Sequence, residues 1–177
     1  MQSRCTRFRF APLSRDQIRD RLVHVANEEH VKYTEDGMEA ILSLSGGDMR
    51  RVLNLLQTTA MSYPEEVNET AVYLTSGSPL PSDLDAILKS LMNDSFVTAQ
   101  GKITGLCKNK GYAMADILSD LTTIVSSLEL PPGALAELLD GMSGVEYRLA
   151  YGTDEEIQCA SLVGVFVKAR NLMTVAS

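Results

Sequence analysis

Two adjacent arginines, Arg50 and Arg51, are the residues whose type and position best suit chemistry on an anion. They follow Gly46-Gly47-Asp48, in which the glycine pair ends one helix and the aspartate can cap the next. Both cations then fall in the first turn of that helix, where backbone N–H groups are unpaired and the helix dipole is positive. A cation is unfavourable there unless an anion lies nearby. The pattern therefore indicates either a solvated arginine pair or an arginine directed at a phosphate.

Apolar residues at helical spacing predict four helices between residues 13 and 76. The first three begin after a polar residue that can cap them, namely Ser14, Thr34 and Asp48, and Pro64 and Asn68 introduce the fourth. The third helix has one apolar face, formed by Met49, Val52, Leu53, Leu56 and Ala60. Alternating polar and aromatic residues at Thr6–Phe10 predict one short strand before the first helix.

Residues 75–82 are rich in Gly, Pro and hydroxyl side chains, and they indicate a domain boundary with a linker at residues 77–82. Apolar stripes beyond it predict helices throughout residues 83–177. One helix is expected to start at Pro131 and Pro132, and a separate short turn of helix is expected around Val145 and Leu149.

The last predicted helix runs from about Glu155 to Met173. Thr153 and Glu156 have the spacing of a capping box at its start. Because this helix is apolar nearly all round, we expect it at the centre of its domain or covered on two sides.

The charge of the chain is unevenly distributed. The net charge of the 177 residues is −7, but residues 1–51 carry 9 basic against 8 acidic side chains, and residues 52–177 carry 7 against 15. An acidic protein does not bind DNA tightly over its whole surface, because neutralisation of phosphates drives such binding. Any phosphate chemistry is therefore expected to be local and to belong to the first third of the chain.

Motifs of catalysis and metal binding are largely missing. Gly101-Lys102 lacks the flanking residues of a P-loop, and His24 and His30 are too far apart for a metal pair on one helix turn. The acidic run Asp154–Glu156 follows no apolar strand, so it is better explained as anions at a helix N-terminus. This chain alone is not expected to hydrolyse a substrate.

The three cysteines, Cys5, Cys107 and Cys159, are far apart in sequence and odd in number. This pattern favours free thiols in a reducing compartment over a disulfide framework. No apolar run approaches the length of a membrane span, and no leader sequence opens the chain, so no membrane partner is expected.

The motif Ser3-Arg4-Cys5, the short strand, the capped helix and then Gly47-Asp48-Met49-Arg50 together resemble the small subunits of replication factor C, the eukaryotic sliding-clamp loader of the AAA+ class. The resemblance covers essentially the whole chain. It implies an all-α fold with at most one short N-terminal strand. Residues 1–12 would be the remnant of an AAA+ core strand, 13–76 a three-helix lid, and 83–177 a helical collar for oligomerisation.

The resemblance also implies roles for two arginines. Arg4 would act in trans, as an arginine finger for the ATP of a neighbouring subunit, and Arg50 would be the second-sensor residue that reads the γ-phosphate in the subunit's own site. The cofactor would be ATP with Mg²⁺ in the full-length subunit. We expect the P-loop core to precede residue 1, and we expect this chain to bind no nucleotide independently.

The implied partners are the other clamp-loader subunits through the collar, together with the sliding clamp and primer–template DNA, in the nucleus. Two other interpretations stay open. Residues 14–62 also have the helix pattern of a helix-turn-helix DNA-binding domain, whose last helix carries Arg50, Arg51, Asn54 and Gln57. The acidic helical remainder would also suit a purely structural adaptor.

Overall fold

The structure is a computed structural model that describes residues 11 and 13–175. Over these residues it consists of nine α-helices, with no strand and one isolated parallel bridge between Tyr33 and Val67. The expected all-α fold is confirmed, whereas the strand predicted at Thr6–Phe10 lies outside the described residues. The helices form two compact units, which divide between Ser76 and Gly77.

The first unit is a small bundle of α1 (Arg15–Glu28), α2 (Glu35–Ser45), α3 (Met49–Ser62) and α4 (Glu69–Ser76). Its core is built from the apolar faces predicted from helical spacing, including Leu22, Met38, Ile41, Val52 and Leu56. Burial of one such side chain stabilises the fold by about 1.5–3 kcal/mol. Short helices are held in place by this burial and not by their helix propensity.

Side chains cap these helices as the sequence predicts. Ser14 and Gln17 form a complete capping box at α1, and the Thr34 hydroxyl accepts a hydrogen bond from the Gly37 N–H at α2. The Asn68 side chain accepts from the Ala71 N–H at α4. Each such cap satisfies an otherwise unpaired N–H group and stabilises the helix by about 1 kcal/mol.

The second unit contains α5 (Pro81–Asn93), α6 (Phe96–Lys110), α7 (Met114–Ser127), α8 (Pro132–Ala150) and α9 (Glu155–Val175). α9 packs against α5, α6, α7 and α8, and its Leu162 and Phe166 are fully buried. The central position predicted for the last helix is therefore confirmed. None of the helices described between residues 11 and 175 is both long and apolar enough to cross a bilayer.

The second unit differs from the prediction at two helix boundaries and at one helix cap. α5 begins at Pro81, inside the stretch predicted as linker, because proline is favoured in the first helical turn. α8 continues to Ala150, so the separate turn predicted around Val145 does not exist. At α9, Asp154 rather than Thr153 caps the helix: its carboxylate accepts from the Ile157 N–H, while the Thr153 hydroxyl donates to the Arg148 carbonyl.

Gly141 lies in the middle of α8, at the place where α9 approaches closely. A Cβ at Gly141 would lie 2.5 Å from Val165 Cγ1, a distance that van der Waals contact does not permit. Valine in a helix has essentially one rotamer, so Val165 cannot turn aside. The absence of a side chain at Gly141 is therefore a packing requirement of the α8–α9 contact.

A hydrogen-bonded cluster holds the start of α5 to the end of α6. Tyr112, which is buried, donates its hydroxyl to Asp83 Oδ2 at 2.6 Å and accepts from the Leu80 N–H at 3.3 Å, while Lys110 Nζ lies 2.7 Å from the same carboxylate. Burial alone would raise the pKa of Asp83, but the hydrogen bonds from Lys110 and Tyr112 outweigh it and hold that pKa below its usual value.

We predict that Gly141→Ala lowers the free energy of unfolding of the chain by about 1–3 kcal/mol, because the new methyl group overpacks the contact with Val165. Gly144→Ala is the matched control on the same helix, since its Cβ would meet only the flexible end of Arg148, at 3.4 Å. The control should gain up to about 1 kcal/mol from helix propensity. Urea denaturation followed by circular dichroism measures both, and equal effects would contradict this account.

We also predict a pH-dependent contribution from Asp83. Because the pKa of its carboxyl is lowered in the folded state, the carboxylate stabilises the fold above the ordinary pKa of an aspartate, and this stabilisation is lost as the pH falls through the lower folded-state pKa. Asp83→Asn should therefore cost about 1–2 kcal/mol at pH 7 and progressively less as the pH falls below the ordinary pKa of an aspartate. The control is Asp85→Asn, which removes an exposed carboxylate from the same helix. A difference from wild type that stays constant over this pH range would refute the assignment.

Candidate functional site

The site is built at the N-terminus of α3. Gly46 and Gly47 adopt positive φ values of 59° and 87°, a conformation that side chains rarely accept, and they reverse the chain between α2 and α3. The Asp48 carboxylate then accepts the N–H of Arg50 at 2.8 Å, and its carbonyl accepts the N–H of Val52 at 3.0 Å. The predicted helix end and cap are confirmed, and they fix the backbone that carries Arg50.

The side chains of Arg50 and Arg51 are exposed, and neither forms an ion pair with any residue in the described part of the chain. Arg15 and Arg19 of the same unit differ, because they pair with Glu39 and Glu35 on α2. The first turn of α3 contains no acidic residue either. The two cations at the helix start therefore have no intramolecular partner in that region.

This arrangement suits an anion with several oxygen acceptors. The Asp48 cap uses the N–H of Arg50, whereas helix geometry provides no acceptor for the N–H groups of Met49 and Arg51. An exposed guanidinium beside such donors, at the positive end of the dipole, can bind a phosphate through charge-assisted hydrogen bonds. The residues present thus fit a phosphate group.

The buried apolar face of α3 fixes the helix that carries the site. Val52 and Leu56 are buried, and Met49 and Leu53 are partly buried, as the helical spacing predicts. Thr59 is also buried on this face, a position that the apolar pattern did not reveal. Because these side chains face inward, helical geometry directs Arg50 away from the core.

The other candidate residues lie apart from this turn or cannot be placed. Arg4 lies outside the described residues. His24 and His30 are both exposed. Glu156 pairs with Lys108, and Glu155 lies beside it in the first turn of α9, in line with a role at a helix N-terminus.

Sequence reasoning missed a cavity of about 370 Å³ where α6 meets the start of α9. Cys107 and Cys159, 52 positions apart in sequence, both line it as free thiols. Burial, and to a lesser degree the proximity of Cys159, raises the pKa of Cys107 to about 11, so this thiol is protonated and poorly nucleophilic at neutral pH. The sequence does not show that the two thiols share a cavity, because no motif spacing connects them. Only the packing of α6 on α9 brings them together.

Comparisons with known proteins agree with this architecture. Residues 79–165 match the family model described as replication factor C C-terminal domain. The chain is 46% identical over 173 residues to replication factor C subunit 5 of Homo sapiens, which covers 98% of this chain and 51% of that protein. It is 38% identical over 177 residues to subunit 3 of Oryza sativa, covering 100% of this chain and 49% of the relative.

A further relative, replication factor C subunit 3 of Schizosaccharomyces pombe, is 40% identical over 163 residues, with 92% of this chain and 47% of the relative covered. The chain thus spans about half the length of the curated relatives it matches. The similarity extends through both compact units, and the family model matches the second of them. The chain therefore belongs to the family of small replication factor C subunits, with the family's C-terminal domain at residues 79–165.

Proposed function

We propose that this chain forms the lid (residues 13–76) and the collar (residues 83–177) of a clamp-loader subunit, which acts in ATP-dependent loading of a sliding clamp onto primer–template DNA in the nucleus. The observation that carries the proposal is the exposed, unpaired Arg50 in the capped first turn of α3. The membership of the family supports a role in DNA replication.

Arg50 is the residue that would contact the γ-phosphate of ATP bound to the subunit's own nucleotide-binding core. ATP with Mg²⁺ supplies the phosphoryl group and its charge in the full-length protein. The Gly46–Gly47 turn and the Asp48 cap hold the backbone of Arg50 in one conformation. A contact between its guanidinium and the terminal phosphate would therefore change the position of the whole lid. The chain itself contains no P-loop and is not expected to bind ATP independently.

Arg4 is the second proposed site residue. Its place in the Ser3-Arg4-Cys5 motif supports a trans-acting role, in which its guanidinium stabilises charge on the γ-phosphate held by the adjacent subunit. The collar would join this subunit to its siblings, since a central apolar helix within a five-helix unit makes a rigid element for ring assembly.

One observation favours a second function, that of a helix-turn-helix DNA-binding domain. α3 exposes Arg50, Asn54 and Gln57, which share one face of the helix and could contact base edges. Residues 52–177 oppose this function because they carry 15 acidic against 7 basic side chains. A strongly acidic body disfavours the phosphate contacts that supply most of the affinity for duplex DNA.

We predict that Arg50→Ala in the full-length subunit, assembled with its partner subunits, weakens ATP binding or DNA-stimulated ATP turnover at that subunit's site by about 10- to 100-fold. This corresponds to the loss of one or two charge-assisted hydrogen bonds. Arg51→Ala is the matched control, since it removes the same charge one residue later and has no role in the proposed site. Equal losses in the two variants, or none in Arg50→Ala, would contradict the sensor role.

Removal of the Arg50 charge, which should weaken function, is predicted to increase the stability of the chain. In the chain without nucleotide, Arg50→Gln should raise the free energy of unfolding by about 0.3–1 kcal/mol, because it removes a cation from the positive end of the α3 dipole. Thermal unfolding at low salt measures the gain, and added salt should reduce it. A loss of stability would mean that Arg50 has a structural partner and is not free to bind an anion.

A further inference from the structure

The cavity of about 370 Å³ in the second unit lies where the end of α6 and the start of α7 meet the first turns of α9. Its walls include Thr104 and Cys107 of α6, Met114 of α7 and Cys159 of α9. The volume lies within the range of small-molecule sites in proteins, roughly 300–1,000 Å³. None of these side chains takes part in the site proposed at the start of α3.

The interior of the cavity is mostly apolar and carries no charge. Burial raises the pKa of Cys107 to about 11 and also raises that of Cys159, so both thiols are protonated at neutral pH and offer soft, weakly polar sulfur atoms. The Thr104 hydroxyl donates weakly to Cys159 Sγ at 3.8 Å. Such walls favour an apolar body and disfavour a charged group that would lose its water there.

Charged side chains lie at the mouth of the cavity. Glu155 and Glu156 line it from the first turn of α9, and Lys108 lines it from the last turn of α6. Lys108 pairs with Glu156, whereas Glu155 is exposed and pairs with no cation in the described part of the chain. The charge of Glu155 adds to the effect of burial on the pKa of Cys107, so this carboxylate lies near the interior. One carboxylate therefore remains unpaired within reach of the cavity.

The helix dipoles do not reverse this balance of charge. The mouth lies between the N-terminal turn of α9, where the dipole is positive, and the C-terminal end of α6 at Gly111, where the dipole is negative. Each end is equivalent to about half a charge, so the two ends offset each other. The side chains then decide the sign, because the two carboxylates of α9 face the single ammonium group of Lys108. The mouth is negative.

We propose that this cavity binds a small apolar molecule that carries one ammonium group, with its apolar body against the two thiols and its cation beside Glu155. The unpaired carboxylate selects the cation, and the apolar interior selects the body to which the cation is attached. A neutral apolar molecule would leave Glu155 without a partner, and an anion would be repelled at the mouth. The cavity lies within the second unit alone, so this inference does not depend on the role proposed for Arg50.

Three probes of similar shape test the proposal: tryptamine, tryptophol and indoleacetate, which are cationic, neutral and anionic at neutral pH. The chain contains no tryptophan, so indole fluorescence reports the probe alone. Tryptamine should bind about two- to fivefold more tightly than tryptophol, which is the gain expected of one partly exposed ion pair. Indoleacetate should bind more weakly than tryptophol.

Glu155→Gln should abolish the preference for tryptamine over tryptophol and leave the affinity for tryptophol unchanged. Glu146→Gln is the matched control, because it removes an exposed carboxylate of the same unit that does not line the cavity. Lys108→Gln should act in the opposite direction, since it leaves Glu156 unpaired as well. This variant should bind tryptamine about two- to fivefold more tightly than the wild-type chain does.

Cys107→Phe should weaken the binding of all three probes by at least about tenfold, because its ring occupies the space that they need. Cys107→Ala is its control, because it removes the same thiol and leaves the cavity open, so binding should persist. Circular dichroism verifies that each variant keeps its helix content. If Cys107→Phe loses its helices, the comparison of Glu155→Gln with Glu146→Gln decides the test.

The proposal is overturned if the wild-type chain binds the three probes equally well or binds none of them. It is also overturned if Glu155→Gln keeps the preference for tryptamine, or if a folded Cys107→Phe binds the probes as the wild-type chain does. Loss of tryptamine binding in Glu146→Gln alone would place the site elsewhere in the unit and would equally refute it.

Discussion

The hydrogen bond from the Arg50 N–H to the Asp48 carboxylate is the interaction on which the proposed site depends. This bond caps α3 directly after the chain reverses direction at Gly46–Gly47. The side chains of the two arginines are then exposed at the positive end of the helix. A cap of this kind supplies about 1 kcal/mol, enough to offset the unfavourable placement of a cation in the first turn. The lid therefore tolerates a locally unfavourable charge because the neighbouring residue stabilises the same turn.

The collar depends on a different constraint, the close approach of α8 and α9. Gly141 lets Val165 pack against the backbone of α8, and this contact places α9 at the centre of the five helices. With its middle buried, α9 has its N-terminal turn at one end of the unit and Arg170 near the other. The same packing that makes the core thus holds the two ends of α9 at opposite ends of the unit.

Local chemistry made much of this structure predictable. Capping side chains such as Thr34 and Asp48 and the helical spacing of apolar residues identified the helices of both units, because those signals act within one or two turns. The errors concern where helices end and how they are capped. One helix runs through to Ala150 where a separate turn around Val145 was predicted, and Thr153 has the position of a cap but donates to the Arg148 carbonyl. For the site, the arginine pair was identified from its conflict with the helix dipole, whereas the choice of Arg50 over Arg51 and the role of Arg4 depend on the resemblance.

The start of α3 and two exposed regions of the second unit share one physical property: each contains groups that the described part of the chain leaves unsatisfied. Arg50 has no carboxylate partner there, Val97 has no apolar cover, and Glu146 has no cation. Elsewhere the same kinds of side chain find partners, as Arg15 does with Glu39 and Lys110 with Asp83. The surfaces that remain unsatisfied in the free chain are the ones that a bound anion or a partner protein can satisfy, because binding gains most where the free protein has left charge and apolar area exposed.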